Sequence, residues 1–352
     1  IDFSNDAKGA LLLEPSRSNL VTYSEDFSDA YWAKSGLSTP SGFVSPDRTN
    51  NAYKLVEDTS TGEHVIYKVS IGYTSGATLS YSFFAKKGER NVIQTYNYIG
   101  GGYHNGANFD LSTGIVSNEV SGSGTMLELD NGWYRCEFTS LATVGQSSTN
   151  VAFRILNSAD ENNYTGDGTS GVYIYGAQLE VGSYATSYIP NFGNSAGATR
   201  SADACNNGGN EQVINSTEGV LYAEFKNTDT SNYKLMSISD GTGNNRVFVG
   251  TRLNTGYIYY FVVAGGATQA SYISTQLADN FTKVAVKFKA NDFSFWINGL
   301  EVSTDLSGSV PIGLNVIQFN GGSGTLDFNG NCKDLRVYNT ALTDSELQAL
   351  TK

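Results

Sequence analysis

Apolar and polar residues alternate with a period of two along most of this chain, the spacing that turns one face of a strand to a core and the other to water. The clearest runs are Val65 to Ile71, Leu79 to Ala85, Val92 to Tyr98, Trp133 to Thr139, Val151 to Leu156 and Val172 to Leu179. Turns rich in Gly, Ser and Asn separate them, which predicts an antiparallel sandwich. From Tyr188 to Gly219 the alternation lapses into PNFGNSAGATRSADACNNGGNEQ, a segment expected to lack regular structure and to carry a domain boundary near residue 200. Strand patterns resume at Gly219 to Phe225, Lys234 to Ser239, Arg246 to Gly250, Tyr257 to Val263, Lys283 to Lys289, Phe293 to Asn298 and Val316 to Phe319. The expected fold is therefore all-β, two β-sandwich domains spanning 1–200 and 201–352. A short C-terminal helix is predicted in TDSELQALTK, where Thr343 and Glu346 form a capping box and Leu342, Leu347 and Leu350 make an apolar stripe.

The length of 352 residues suits two such domains, each able to bury its own core. Charged residues make up only 16% and aromatics 12%, which is the composition of strands and turns. A formal net charge of −12, with no local Lys/Arg cluster, excludes nucleic acid as a partner. The sequence has no apolar stretch long enough to cross a bilayer, so membrane insertion is not expected. Cys136, Cys205 and Cys332 have neither CxxC spacing nor a nearby His, which argues against a zinc site; free thiols are expected, with a Cys205–Cys332 bridge as the alternative. The chain begins at Ile1 rather than Met, as a processed or excerpted chain would.

Several phrases resemble known families. NLVTYSEDFSDAYWAKSG, LSYSFFAKKGERN, NGWYRCEFT and YTGDGTSGVYIYGAQLEVGSYATSYIPN, within residues 10 to 200, resemble a jelly-roll module of bacteriophage tail and head-fibre proteins, distantly similar to carbohydrate-binding modules of families four and nine. TEGVLYAEF, SDGTGNNRV, FKANDFSFWING, TDLSGSVP and LRVYNTALTDSELQALT, over about 215 to 352, resemble concanavalin A-like, laminin G-like domains. What the resemblance implies is a jelly roll followed by a concanavalin A-like sandwich. It further implies recognition of a cell-surface or extracellular polysaccharide, a place on a virion surface or outside the cell, and a homotrimer or larger virion assembly. The other readings are a binding appendage of a secreted polysaccharide-degrading enzyme, a lyase or hydrolase in its own right, and a decoration that binds no sugar.

A sugar site needs aromatic faces for the apolar side of a pyranose and amides or charges for its hydroxyls. In the first domain Gln94, Tyr96 and Tyr98 share a strand face, Arg154 comes from another strand, and a nearby loop carries Tyr103, His104 and Asn105. In the second, Tyr257, Tyr259 and Phe261 fall together, with Asn245 and Arg246 ahead of another strand, and Trp296 alternates with Ser294 and Asn298 on the less apolar face of FSFWING. The candidate carbohydrate-binding residues are therefore Tyr96, Tyr98, Tyr103, Arg154, Trp296, Tyr257 and Tyr259, although sandwiches also use such aromatics for packing alone. Trp32 and Trp133 are assigned to the scaffold.

No catalytic set emerges, and the chain is not expected to be an enzyme. Gly166, Gly168 and Gly171 spell GxGxxG but precede a strand, so they read as a turn. Glu128 and Asp130 lack the further carboxylate a glycosidase pair requires, since Trp133 stands there. His64 and His104 are the only histidines; a Tyr/His lyase could draw only on Tyr96, Tyr103, His104 and Arg154. No cofactor is required. A structural calcium ion is compatible with Glu25, Asp26 and Glu180 or with Asp240 and Asn244, although Gly176 stands where the related modules place an acidic ligand and solvated turns explain the same residues.

Overall fold

A computed structural model of the chain describes residues 9–99, 102–141 and 147–352. They form two compact units. One is Ser16–Ser201; the other joins 202–352 to the described N-terminal residues up to Pro15.

The Ser16–Ser201 unit is a sandwich of two antiparallel sheets. One runs, in spatial order, Ile115–Val120, Gly102–Asp110, Val92–Ile99, Ser148–Ile155, His64–Gly72 and Ala33–Ser35. The other runs Gly122–Glu128, Trp133–Leu141, Thr78–Lys87, Gly171–Val181, Ala52–Glu57 and Leu37–Ser38, with Ser41–Phe43 also paired to Ala52–Glu57. Period-two alternation sends Ile66, Ile93, Phe109 and Phe153 from the first sheet and Leu79, Tyr81, Phe83, Phe138 and Leu179 from the second into one core. Trp32 closes that core at 2% exposure, its indole N–H donating to the Tyr23 carbonyl at 2.9 Å, and Trp133 is buried beside Tyr175 on the far face of the second sheet.

The C-terminal unit repeats the principle. A six-stranded sheet (Leu11–Leu13, Gly330–Tyr338, Glu218–Asn227, Thr282–Lys289, Phe293–Ile297, Leu300–Asp305) and a five-stranded sheet (Ala267–Leu277, Tyr257–Ala264, Arg246–Thr251, Lys234–Ser239, Val316–Gln318) supply a shared core. Phe225, Val286 and Phe295 come from the first, Val247, Tyr260 and Val262 from the second. The C-terminal helix spans Asp344–Thr351 with the expected box: Thr343 Oγ1 accepts the Glu346 N–H, and Glu346 Oε2 accepts the Thr343 N–H at 2.8 Å.

Between strands, one device recurs. At Asp26, Asp47, Asp58, Asp110, Asp167, Asp229, Asp240 and Asp305 the carboxylate accepts both the N–H and the hydroxyl of a Ser or Thr two residues on. Much of the acidic surplus is thus spent on closing turns.

Two expectations about the junction need correction. Residues 9–15 do not belong with 16–200: Leu11–Leu13 pairs antiparallel with Gly330–Cys332, Leu13 is in the C-terminal core, and the Glu14 N–H donates to Asp203 Oδ2 at 2.9 Å. Nor is 188–219 structureless. Ala198–Arg200 pairs with Arg17–Asn19, and Gly208 exchanges two backbone bonds with Ile317, at 3.1 and 2.6 Å. These are backbone pairings, invisible to an apolar period.

A proteolytic prediction follows from the two chain crossings, at Pro15/Ser16 and Ser201/Ala202. One cut in the exposed stretch 201–213 is expected to leave fragments that co-elute under native conditions, because the N-terminal strand stays in the C-terminal sheet while still joined to Ser16. Gel filtration of the singly nicked protein checks this; separate peaks would show that the strand contributes no lasting pairing.

Candidate functional site

The outward face of the five-stranded sheet in the C-terminal unit is aromatic where a sandwich would ordinarily be polar. Because Val247, Val249, Ile258, Tyr260 and Val262 take the inward parity, Phe248, Tyr259 and Phe261 must point out. Strand register does the rest: Phe248 lies opposite Phe261 and Gly250 opposite both Tyr259 and Leu235. Gly250 is required there, since a Cβ would stand 1.9 Å from the Lys234 carbonyl oxygen and 2.9 Å from Leu235 Cδ2.

Phe248 and Phe261 are stacked at 5.3 Å, Tyr259 meets both edge-on at 5.6 and 5.8 Å, and Tyr233 approaches Tyr259 at 6.0 Å. Together they line an open cavity of about 400 Å³ with Arg246 and Arg252 at its walls. The Arg246 guanidinium lies 4.9 Å over the Phe248 ring, and its Nη1 donates to the Gly321 carbonyl. Burial pushes the Tyr259 phenol well above its ordinary range, so it remains a neutral hydroxyl at any physiological pH.

Tyr259 is thus where the alternation placed it, within a cluster completed by Tyr233 and Phe248, which the sequence reading did not single out. Tyr257 shares the face but is half-buried opposite Leu277 and lies outside the cavity lining. Trp296 requires correction. It faces away from the core set Phe293, Phe295 and Ile297, yet that face is covered: Trp296 is 5% exposed among Val220, Tyr222, Ala285 and Leu347, and its Nε1–H donates to Ser294 Oγ at 3.1 Å. The C-terminal helix seats on it, leaving no ring face for a sugar.

In the other unit, the outward face of the six-stranded sheet does bring Tyr96 and Arg154 together, the guanidinium 4.3 Å over the ring. Both are buried, at 5% and 1% exposure. Arg154 Nε donates to Gln94 Oε1 at 3.0 Å, Nη1 pairs with Glu63, and Gln94 Nε2 donates to Asn108 Oδ1 at 2.6 Å. A smaller cleft of about 280 Å³ beside them exposes part of Tyr67, Val69 and Glu63. The side chains of Tyr98, Tyr103 and His104 lie outside the described residues.

The remaining expectations concern chemistry. His64 is fully buried, Nδ1 2.5 Å from the Gly36 carbonyl oxygen and Nε2 3.3 Å from that of Tyr164, a scaffold position. Glu128 and Asp130 are exposed and flank a turn, and Gly168, at φ 81°, lies in the turn that Asp167 closes. Cys136 and Cys332 are buried in the two cores, Cys205 is exposed, and all three are free thiols.

The carboxylates among the residues compatible with calcium accept hydrogen bonds from protein donors. Glu25 accepts from Tyr175, Tyr188 and Asn51; Asp26 from Ser28, Asp29 and Tyr53; Asp240 from Thr242 and Asn245. Glu180, read as a turn residue, is fully buried; desolvation pushes its carboxyl up, and it accepts from Gln178 and Thr186.

Residues 209–348 match the family model of the concanavalin A-like lectin/glucanases superfamily, a laminin G type. The C-terminal unit thus has a concanavalin A-like sandwich fold and is similar to that superfamily. A solved structure of mouse laminin alpha1 chain domains LG4-5 aligns at 11% identity over 81% of this chain and 90% of that one, with a TM-score of 0.26. No curated protein matches the sequence. Among the described residues no helix is long and apolar enough to cross a membrane.

Proposed function

We propose that this chain is a non-catalytic carbohydrate-recognition protein whose C-terminal unit holds a glycan in the cavity formed by Tyr233, Phe248, Tyr259 and Phe261. The observation that carries the reading is the aromatic cluster itself, turned outward from a sheet of a lectin-type domain, beside two guanidinium groups. Tyr233 and Phe261, both half-buried, offer ring surface to the apolar side of a pyranose; Phe248 and Tyr259, at 5% exposure, form the floor behind them, and the Tyr hydroxyls and Arg donors meet the sugar oxygens. The likeness of the N-terminal phrases to phage fibre modules supports a place on a virion surface or outside a cell, where many copies multiply a modest affinity. No cofactor is invoked, since no step of the reading needs one.

On an array of bacterial and algal glycans the full chain is expected to bind a restricted set, and Tyr233→Ala, at a half-buried position, should weaken that binding by about tenfold or more with little change in melting temperature. Reducing-end release and unsaturated-product absorbance are expected to stay at background with agar, alginate, laminarin and capsule. Binding to no glycan, or binding indifferent to Tyr233, would overturn the site. Turnover that vanishes in Tyr103→Phe or His104→Ala would replace it with a lyase.

A further inference from the structure

The cavity has a charge that the rest of the chain lacks. The sequence holds 34 acidic and 22 basic side chains, yet among the described residues Arg246 and Arg252 line this space and no Asp or Glu does. Arg252 is exposed at the rim and Arg246 is sunk into the wall. Stacking on Phe248 and the bond to the Gly321 carbonyl fix the plane of the Arg246 guanidinium, while its buried Nε finds no acceptor among the described residues.

Such a group is costly. Taking a cation from water without a counter-charge is unfavourable, and burial indeed lowers the Arg246 pKa from its ordinary value. Elsewhere in this protein the same problem is met internally: Arg90 is paired with Glu57, Arg154 with Glu63 and Lys234 with Asp229. Arg246 forms no ion pair among the described residues; in front of it lies open space bordered by aromatic rings.

The geometry points to an acidic sugar as the occupant: a carboxylate or sulfate ester on Arg246 and Arg252, with the sugar ring held against the aromatic cluster. This rests on the carbohydrate reading above and narrows it to anionic glycans. A planar guanidinium with one edge already anchored presents its remaining N–H groups in the fork that a carboxylate or sulfate accepts. The aromatic rings confer no charge preference, so the two arginines determine it.

The test uses the full chain and matched pairs of probes: hexagalacturonate against its methyl ester, and a sulfated galactan oligosaccharide against its desulfated form. At least one charged probe is expected to bind about tenfold or more tighter than its neutral twin, and the gap should shrink as salt is raised. Arg252→Gln, at an exposed position, and Arg246→Gln should each reduce that gap, by lowering affinity for the charged probe more than affinity for its neutral twin. Tyr233→Ala should weaken charged and neutral probes alike. Equal affinity for charged and neutral twins, with Tyr233 still required, would overturn the anionic assignment and leave the sugar site standing. A charge preference that survives both arginine variants would place the acidic-sugar site elsewhere and likewise overturn it. Loss of all glycan binding, on the array as well, would remove the broader reading with it.

Discussion

Replacing Trp296 with Ala is expected to cost about 3–5 kcal/mol of stability, the usual penalty for deleting a buried large aromatic, and to leave glycan binding unchanged. The indole is 5% exposed and is the largest side chain in the layer between the six-stranded sheet and the C-terminal helix. Its removal opens a void that Val220, Tyr222 and Ala285, fixed in neighbouring strands, cannot close, and it also leaves Leu347 without a seat. Leu347→Ala should therefore produce part of the same loss, and the double variant should lose less than the sum, because both empty one cluster. Urea and thermal melts check the stability; the glycan array checks the binding. A melting temperature within about 2 °C of the parent, together with lost binding, would return Trp296 to the role of a sugar platform.

That residue shows where reading along the chain succeeds and where it stops. Parity correctly separated Trp296 from Phe293, Phe295 and Ile297, because side-chain alternation is local. What covers the other face is not local: the helix that does so begins at Asp344, and although its cap and leucine stripe were legible, nothing in the sequence joined that stripe to that strand. Tyr259 followed the same logic with the opposite outcome. Its parity was legible; its companions Phe248 and Tyr233 come from other strands, and only the register Phe248 opposite Phe261 brings them into one cavity. Arg154 was expected near Tyr96 and is there, but the Gln94 and Glu63 bonds that withdraw it from solvent depend on three-dimensional pairing. Strands such as Ala267–Leu277 and Leu300–Asp305 escaped notice because they lie at sheet edges, where both faces are partly wet and apolar alternation fades. Asp26 and Asp240 do close turns, through a D-x-S/T pattern that is local in the sequence, whereas Glu180 lies buried in the strand Gly171–Val181.

Arg90→Ala is expected to cost about 3–5 kcal/mol at neutral pH and markedly less in acid, because it leaves a buried carboxylate without its counter-charge. The Glu57 side chain is fully buried. Its Oε2 accepts Arg90 Nε and the Tyr164 hydroxyl, each at 2.8 Å, and its Oε1 accepts Arg90 Nη2 at 2.5 Å and the Asp167 N–H at 3.0 Å. Burial pushes the Glu57 carboxyl up, but Arg90 and these hydrogen bonds outweigh it and hold it below its ordinary value of 4.5. A lowered folded pKa means that the stabilisation is complete above the unfolded value and is lost as pH falls through the folded one. Without Arg90 burial dominates, the folded pKa rises above the unfolded value, and the sign reverses: protonation now relieves the buried charge, so the variant recovers stability relative to the parent as pH falls. The gap between parent and variant should be widest near pH 7 and narrow toward about pH 4, as read from urea midpoints across that range. A gap that stays constant with pH would assign the role of Arg90 to packing against the Tyr164 ring, 5.3 Å away, and not to the charge of Glu57.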